Sequence, residues 1–325
     1  MTRAILSLLA AVLLLPTSNA TAQTATSVKV TVLSTMLVGN SASGIGEWGF
    51  AAVLEVDGRR ILIDTGARAE TVLRNAQELK VDLSTITEVV LTHNHADHTG
   101  GLLTLRRELA AKQPSALSRV HVPAGIFQSR PLPGGREGNG LLPLKAPFEA
   151  TGGLFIEHAG PAALMPGVTL LGPIPRVHPE RNFGSPNGGA VGTVQTATGL
   201  VEDNVPEDTS IVVNTADGLV LISGCGHSGI VNAMEYARKT VRAAPVVTAM
   251  GGFHLFAASD ETLAWTAAKL KEFGVRRLMG AHCTGIEAVY RLRQLVGLAR
   301  DTAIVGAVGA SYTHGKGFDA TVLAR

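Results

Sequence analysis

The sequence predicts an α/β (α+β) fold, an αββα four-layer sandwich, and three observations point to it. Two-residue hairpin signals, Asp57-Gly58 and Asp217-Gly218, each separate a pair of short β-branched runs. Each hairpin is followed by strand–helix alternation, so the two halves of the chain repeat one plan. A 46% hydrophobic content supplies enough apolar surface for two sheets packed face to face with helices outside.

In chain order, 28–33, 51–56 and 61–64 read as strands. Residues 67–80 carry Val72, Leu73, Ala76 and Leu79 near a helical period. Residues 89–92 read as a buried strand, 101–111 as a helix and 120–122 as a strand. Residues 124–190 are rich in Pro and Gly with weak periodicity and read as a long insertion shaping a pocket. Beyond it come strands at 211–214 and 219–223. Helix 230–242, strand 245–249, helix 260–273, strand 277–280, helix 285–297 and strand 303–306 complete the pattern.

Residues 1–22 stand outside this plan. Arg3, an apolar run from Ala4 to Leu15 and the small-x-small pattern Ala20-Thr21-Ala22 match a secretory signal peptide cut before Gln23. The apolar run is too short for the ~20 residues a membrane span needs. The expected product is a periplasmic or secreted protein of one domain, 23–325, without stable membrane insertion after cleavage. A formal net charge of +2 gives no basic footprint for nucleic acid. Two cysteines cannot form a disulfide scaffold.

The histidines carry the chemistry. His93, His95, His98, His227, His254 and His282 sit in short Gly-flanked or turn segments that end apparent strands. The densest segment is Thr92-His93-Asn94-His95-Ala96-Asp97-His98-Thr99-Gly100-Gly101, with four potential ligands in six residues. Imidazole and carboxylate bind Zn²⁺ and similar divalent ions at about 2.0–2.2 Å. A loop can turn His93 and His95 toward one ion and Asp97 and His98 toward another, which a helix cannot. His121, His158, His178 and His314 lack such a context and read as structural or surface groups, although His178 could line the pocket.

These motifs resemble the metallo-β-lactamase superfamily: Thr-His-x-His-x-Asp-His-Thr-Gly-Gly, preceded by Ile-Leu-Ile-Asp64-Thr-Gly66. Gly224-Cys225-Gly226-His227-Ser228-Gly229, Gly251-Gly252-Phe253-His254-Leu255 and Ala281-His282-Cys283-Thr284-Gly285 are similar to one branch. That branch comprises the superfamily II hydrolases related to archaeal dihydropterin–ribofuranosylaminobenzene phosphate synthase. The resemblance covers nearly all of 23–325 and implies the metallo-β-lactamase-like sandwich with a one- or two-metal site at the sheet edges. It implies His93 and His95 on the first metal, Asp97, His98 and His282 on the second, and His227 completing the first. Asp64 would orient the histidine loop behind the ligands.

One departure stands out. Relatives commonly place a bridging aspartate where this chain has Cys225, which reads as a thiolate ligand, a neighbour of the metal or a packing residue. His254 reads as a ligand or substrate contact, or as a structural hydrogen-bonder. Cys225 and Cys283 are expected as two thiols near the site rather than a disulfide. Arg176 and Arg181, in the long loop, are candidates to bind a carboxylate or phosphate of a small-molecule substrate.

The resemblance implies a hydrolase with one or two divalent ions, Zn²⁺ first, with Mn and Fe as alternatives. Water would be activated against an ester, lactone, amide or phosphoester while Asp97 orients the nucleophile. The alternatives are a sulfur or redox enzyme of the same fold and a non-catalytic, metal-stabilised protein that binds a small ligand.

Overall fold

The structure is a computed structural model describing residues 23–39, 44–182 and 192–321. The expected signal segment, 1–22, lies outside the described residues, as does the end of the expected insertion, 183–190.

Two large sheets form the centre. The first has eight strands in the order Gly317–Asp319, Ser311–Thr313, Val28–Ser34, Ala51–Val56, Arg59–Ile63, Glu88–Val90, Arg119–Pro123 and Leu154–His158. The second has seven, in the order Ala162–Met165, Val168–Leu170, Ser210–Thr215, Gly218–Ser223, Val246–Gly251, Arg277–Gly280 and Ala303–Val305. Each sheet begins antiparallel around its hairpin and becomes parallel where strand–helix alternation starts.

Side-chain alternation explains the layering, because neighbouring residues on a strand face opposite ways. Val28, Val30, Val32, Leu54, Ile61 and Ile63 of the first sheet meet Leu170, Ile211, Val213, Val220, Ile222 and Met250 of the second in a central core. Leu62 and Val89 face outward against the helices Thr71–Glu78, Leu102–Ala110 and Leu142–Glu149. Val212, Leu221 and Leu278 face outward against Ile230–Thr240, Asp260–Glu272 and Ile286–Val296. The result is the expected αββα sandwich. None of the helices in the described residues is long and apolar enough to cross a membrane.

Local chemistry accounts for the turns. Val56 pairs with Arg59 across Asp57-Gly58, both at positive φ (49° and 79°), as a tight hairpin requires. The second hairpin corrects its expected register: Thr215 pairs with Gly218, so the turn is Ala216-Asp217 and Gly218 already belongs to the strand. The Thr215 hydroxyl donates to the Gly218 carbonyl (2.7 Å) and closes it.

Residues 124–182 are not one long loop. They contain the helix Leu142–Glu149 and edge strands of both sheets, Leu154–His158 and Ala162–Met165. Edge strands of four or five half-exposed residues give no periodic window. The helix is masked by Pro147 inside it, where proline normally breaks helices. Ser311–Thr313, which returns to pair with Val28–Ser34 in the first sheet, and Gly317–Asp319 beside it also lack an apolar signature.

His121 and His158 lie side by side on parallel strands. His121 shares a 2.9 Å contact with His158 Nε2, and its Nε2 lies 2.7 Å from Glu88 Oε2.

Candidate metal centre

The site forms where parallel strands of both sheets end. Arg59–Ile63 runs into Asp64 and Glu88–Val90 into the histidine loop; Gly218–Ser223 runs into Cys225 and His227. Val246–Gly251 leads to His254, and Arg277–Gly280 to His282 and Cys283. Carboxyl ends of parallel strands are where α/β sheets leave a crevice for ligands.

Close approach of the two sheets depends on Gly224. A Cβ there would lie 2.1 Å from Thr92 Oγ1 and 2.5 Å from Asp64 Oδ2. Without a side chain, the second sheet's loop seats directly on the first sheet's polar anchor.

That anchor is Asp64, fully buried and at positive φ (52°). Its Oδ1 accepts from Thr92 N (2.8 Å), and its Oδ2 accepts from Thr92 Oγ1 (2.8 Å) and faces His98 Nδ1 at 2.7 Å. Thr92 Oγ1 is 3.1 Å from His93 Nδ1. One carboxylate therefore orients two imidazoles, with protons on Nδ1 and Nε2 turned into the site. His227 follows the same rule, its Nδ1 donating to Asn182 O at 2.8 Å.

The rings form one continuous cluster, joined by His93 and His98 with centroids 4.2 Å apart. His93, His95 and His227 have centroids 4.6–4.8 Å apart. His98 Nε2 lies 3.3 Å from His282 Nε2, and Asp97 Oδ2 is 3.2 Å from His282 Nε2 and 3.8 Å from His98 Nε2. Ligand atoms of His93, Cys225 and His227, of His98, Cys225 and His282, and of His93, Asp97 and His98 lie within 4.8 Å of one another in each group.

These residues fit a metal. His93 Nε2 and His227 Nε2 are buried without any hydrogen-bond partner. Such atoms cost free energy unless something else pairs with them, and an imidazole lone pair facing a cluster of others suits a cation.

The electrostatics favour neutral His93, His95 and His227 and a protonated His282 beside an ionised Asp97. Burial, then the neighbouring His98, His95 and His227, holds His93 well below the ordinary imidazole value. Burial brings His95 down to about 4 and, with His95 and His254, lowers His227 strongly. Burial opposes ionisation of Asp97, but His98, His282 and His95 outweigh it and hold the carboxyl far below its usual range. Burial would lower His282, yet Cys283 and Asp97 raise it to about 10.

A cavity of about 550 Å³ opens over this centre, lined by Trp48, His95, Asp97, Phe256, His282 and both cysteines, among others. A second cavity of about 550 Å³, reached past Glu180, Arg181 and Trp265, shares His254 and Phe256 with it. Cys225 and Cys283 are free, buried thiols with Sγ atoms 2.9 Å apart. Arg176 Nη2 donates to His227 O (3.1 Å) and to Asn204 O, tying down the His227 loop. Arg181 lies at the rim, 72% exposed, 3.4 Å from Glu202.

Several supporting residues carry no sequence signal. Glu47 accepts from Ser34 Oγ, Ala67 N and Arg68 N and braces the loop after Asp64. Arg130 bridges Asp203 (2.8 Å) and Glu207 (2.7 Å) under the histidine loop. Glu180 accepts from Val231 N and Asn232 N at the start of Ile230–Thr240. The role of each shows only from its distant partners, although Glu180 stands beside His178 and Arg181 in the chain.

Comparison with known proteins agrees with this geometry. A family model described as the metallo-beta-lactamase superfamily matches residues 49–282, which includes Asp64 and all six grouped histidines. A protein of Methanocaldococcus jannaschii named 7,8-dihydropterin-6-methyl-4-(beta-D-ribofuranosyl)-aminobenzene-5'-phosphate synthase is 30% identical, over 80% of this chain and 89% of its own length. The crystal structure of Tm1679, described as a metal-dependent hydrolase of the beta-lactamase superfamily, superposes with a TM-score of 0.66 at 25% identity, covering 87% of this chain and 98% of that one. YhfI from Bacillus subtilis shares the fold, with a TM-score of 0.54 at 12% identity and 88% and 99% coverage. With its sandwich, its histidine loop and its paired ligand sets at one sheet edge, the chain belongs to the metallo-beta-lactamase superfamily.

Proposed function

We propose that the protein is an exported metal-dependent hydrolase acting on an ester, lactone, amide or phosphoester of a small molecule. The observation that carries the reading is the pair of ligand sets meeting under an open cavity, with buried His93 Nε2 and His227 Nε2 unpaired. His93, His95 and His227 would hold one ion; Asp97, His98 and His282 would hold a second, with Cys225 between them. Zn²⁺ suits this nitrogen-, oxygen- and sulfur-donor set best. A divalent ion there supplies Lewis acidity and lowers the pKa of water toward neutrality.

The chain's own groups do the rest. Asp97, 21% exposed at its side chain, faces the cavity as an ionised carboxylate that can accept a hydrogen bond from the attacking water and orient it. Asp64 keeps His98 and His93 aimed. Trp48 packs edge-on against Phe256 and His282, with centroids 5.4 and 5.0 Å away, and gives the substrate an apolar wall. Arg181, at the rim, would meet an anionic part of the substrate.

His95→Ala tests the reading. Metal content by elemental analysis and hydrolysis of chromogenic phosphodiester, lactone, ester and cephalosporin substrates should fall together. Hydrolysis retained with normal metal content would overturn it. The name of the Methanocaldococcus jannaschii relative supports a synthase as second reading, which would show as metal binding without hydrolysis of any panel member. Export is tested by finding Gln23 at the N-terminus of the mature protein.

A further inference from the structure

Two thiols and an imidazole converge beside the histidine sets, and the sheet brings them there. Gly218–Ser223, Val246–Gly251 and Arg277–Gly280 are parallel neighbours whose last residues are in register, Ser223 opposite Gly251 and Gly251 opposite Gly280. Each strand delivers a donor within three residues of its end: Cys225, His254 and Cys283. Their ligand atoms lie within 4.8 Å of one another. Cys225 Sγ is 2.9 Å from Cys283 Sγ and 3.4 Å from His254 Nδ1.

The backbone is shaped around these atoms. His254 has φ 48°, a left-handed conformation uncommon outside glycine, and such outliers concentrate at functional sites. At Gly252 a Cβ would stand 3.0 Å from Cys283 Sγ and 2.3 Å from Gly224 O, so bare backbone leaves room for the sulfur. Both thiols and His254 line the cavity over the centre, which gives an ion a way in.

We propose that Cys225, Cys283 and His254 form a cation site of their own, selective for soft or borderline ions such as Zn²⁺, Cd²⁺ or Cu⁺. Thiolates select such ions, whereas the imidazole and carboxylate sets also accept harder ones. Tetrahedral coordination at about 2.3 Å puts two sulfurs roughly 3.8 Å apart, so the pair opens by about 1 Å to take the ion. Cys225 Sγ is also within 4.8 Å of the ligand atoms of His93 and His227 and of His98 and His282. The thiol site is thus contiguous with both histidine sets while differing from them in chemistry. The site stands independently of the hydrolytic reading.

The test uses the reduced, metal-free full chain titrated with Cd²⁺. Equilibrium dialysis and the near-ultraviolet thiolate-to-cadmium absorption are followed, with Mn²⁺ titrated in parallel. Cadmium should protect both thiols of the native protein from alkylation. Cys283→Ser should lose one bound Cd²⁺ and with it most of the absorption, and bind Mn²⁺ as the unsubstituted chain does. His95→Ala, which disables the histidine half, should keep the absorption. If the Zn²⁺-loaded unsubstituted chain hydrolyses none of the panel substrates while the cadmium absorption is intact, the hydrolytic reading is refuted and the thiol site is left standing. The site is overturned if Cys283→Ser binds as many Cd²⁺ ions as the unsubstituted chain. It is equally overturned if both thiols of the Cd²⁺-loaded chain alkylate at the metal-free rate, a measurement that needs no variant.

Discussion

Asp64→Asn should weaken metal binding without unfolding the protein, and the geometry fixes why. Asp64 Oδ1 accepts from the Thr92 backbone N–H, while Oδ2 accepts from Thr92 Oγ1 and faces His98 Nδ1. The asparagine must keep its carbonyl on the Thr92 N–H, because turning the amide nitrogen there would oppose two donors. Its NH₂ then faces His98 Nδ1, which has to become an acceptor. The ring proton moves to Nε2, the atom that lies 3.3 Å from His282 Nε2 in the site, and that lone pair is lost to a metal. Thr92 Oγ1 also loses its acceptor, which loosens the orientation of His93. Losing such an orienting partner costs about 10–100-fold in metal affinity, or about 1.4–2.8 kcal/mol. That agrees with the roughly 1.5–3 kcal/mol of a hydrogen bond to a charged group. Competition with a chromophoric chelator measures the loss, and circular dichroism verifies the fold. An affinity unchanged within about twofold would refute the assigned role of Asp64.

Other perturbations probe the supports. Arg130→Met leaves Asp203 and Glu207 without their shared partner; breaking a buried pair costs about 3–5 kcal/mol. It should lower the urea midpoint strongly with an unchanged slope, and a midpoint like the parent's would count against this network. Glu180 is raised by burial from 4.5 to about 7. The folded state therefore holds a proton that the unfolded chain releases between these values. Stability from this group is highest below pH 4.5, declines as pH rises to about 7 and is level above. Glu180→Gln should remove that decline, a difference of at most roughly 3 kcal/mol read from urea midpoints at pH about 5 and about 8. Equal pH slopes in both proteins would contradict it. The protein, unfolded without reductant after metal removal, should titrate two thiols; none would mean that Cys225 and Cys283 are joined.

Much of the fold was legible because its signals are local. Asp57-Gly58 and the β-branched runs around it pair as read, and helix 260–273 and strand 277–280 appear within a residue of their expected ends. Residues 124–182 were misread because edge strands such as Leu154–His158 are stabilised by a neighbour rather than by their own pattern.

By itself the sequence determined the histidine segment: four potential ligands lie within six residues, whatever the rest of the chain does. The family resemblance already implied His227 and His282 as its partners; the tertiary structure alone decided the contacts between distant groups. Arg130 finds Glu207 77 residues away, and Cys225 Sγ comes to 2.9 Å from Cys283 Sγ across 58 residues. The physical reason is register. Parallel strands that end level with one another bring together donors whose sequence separations carry no spacing rule, so their common chemistry exists only once the sheets have formed.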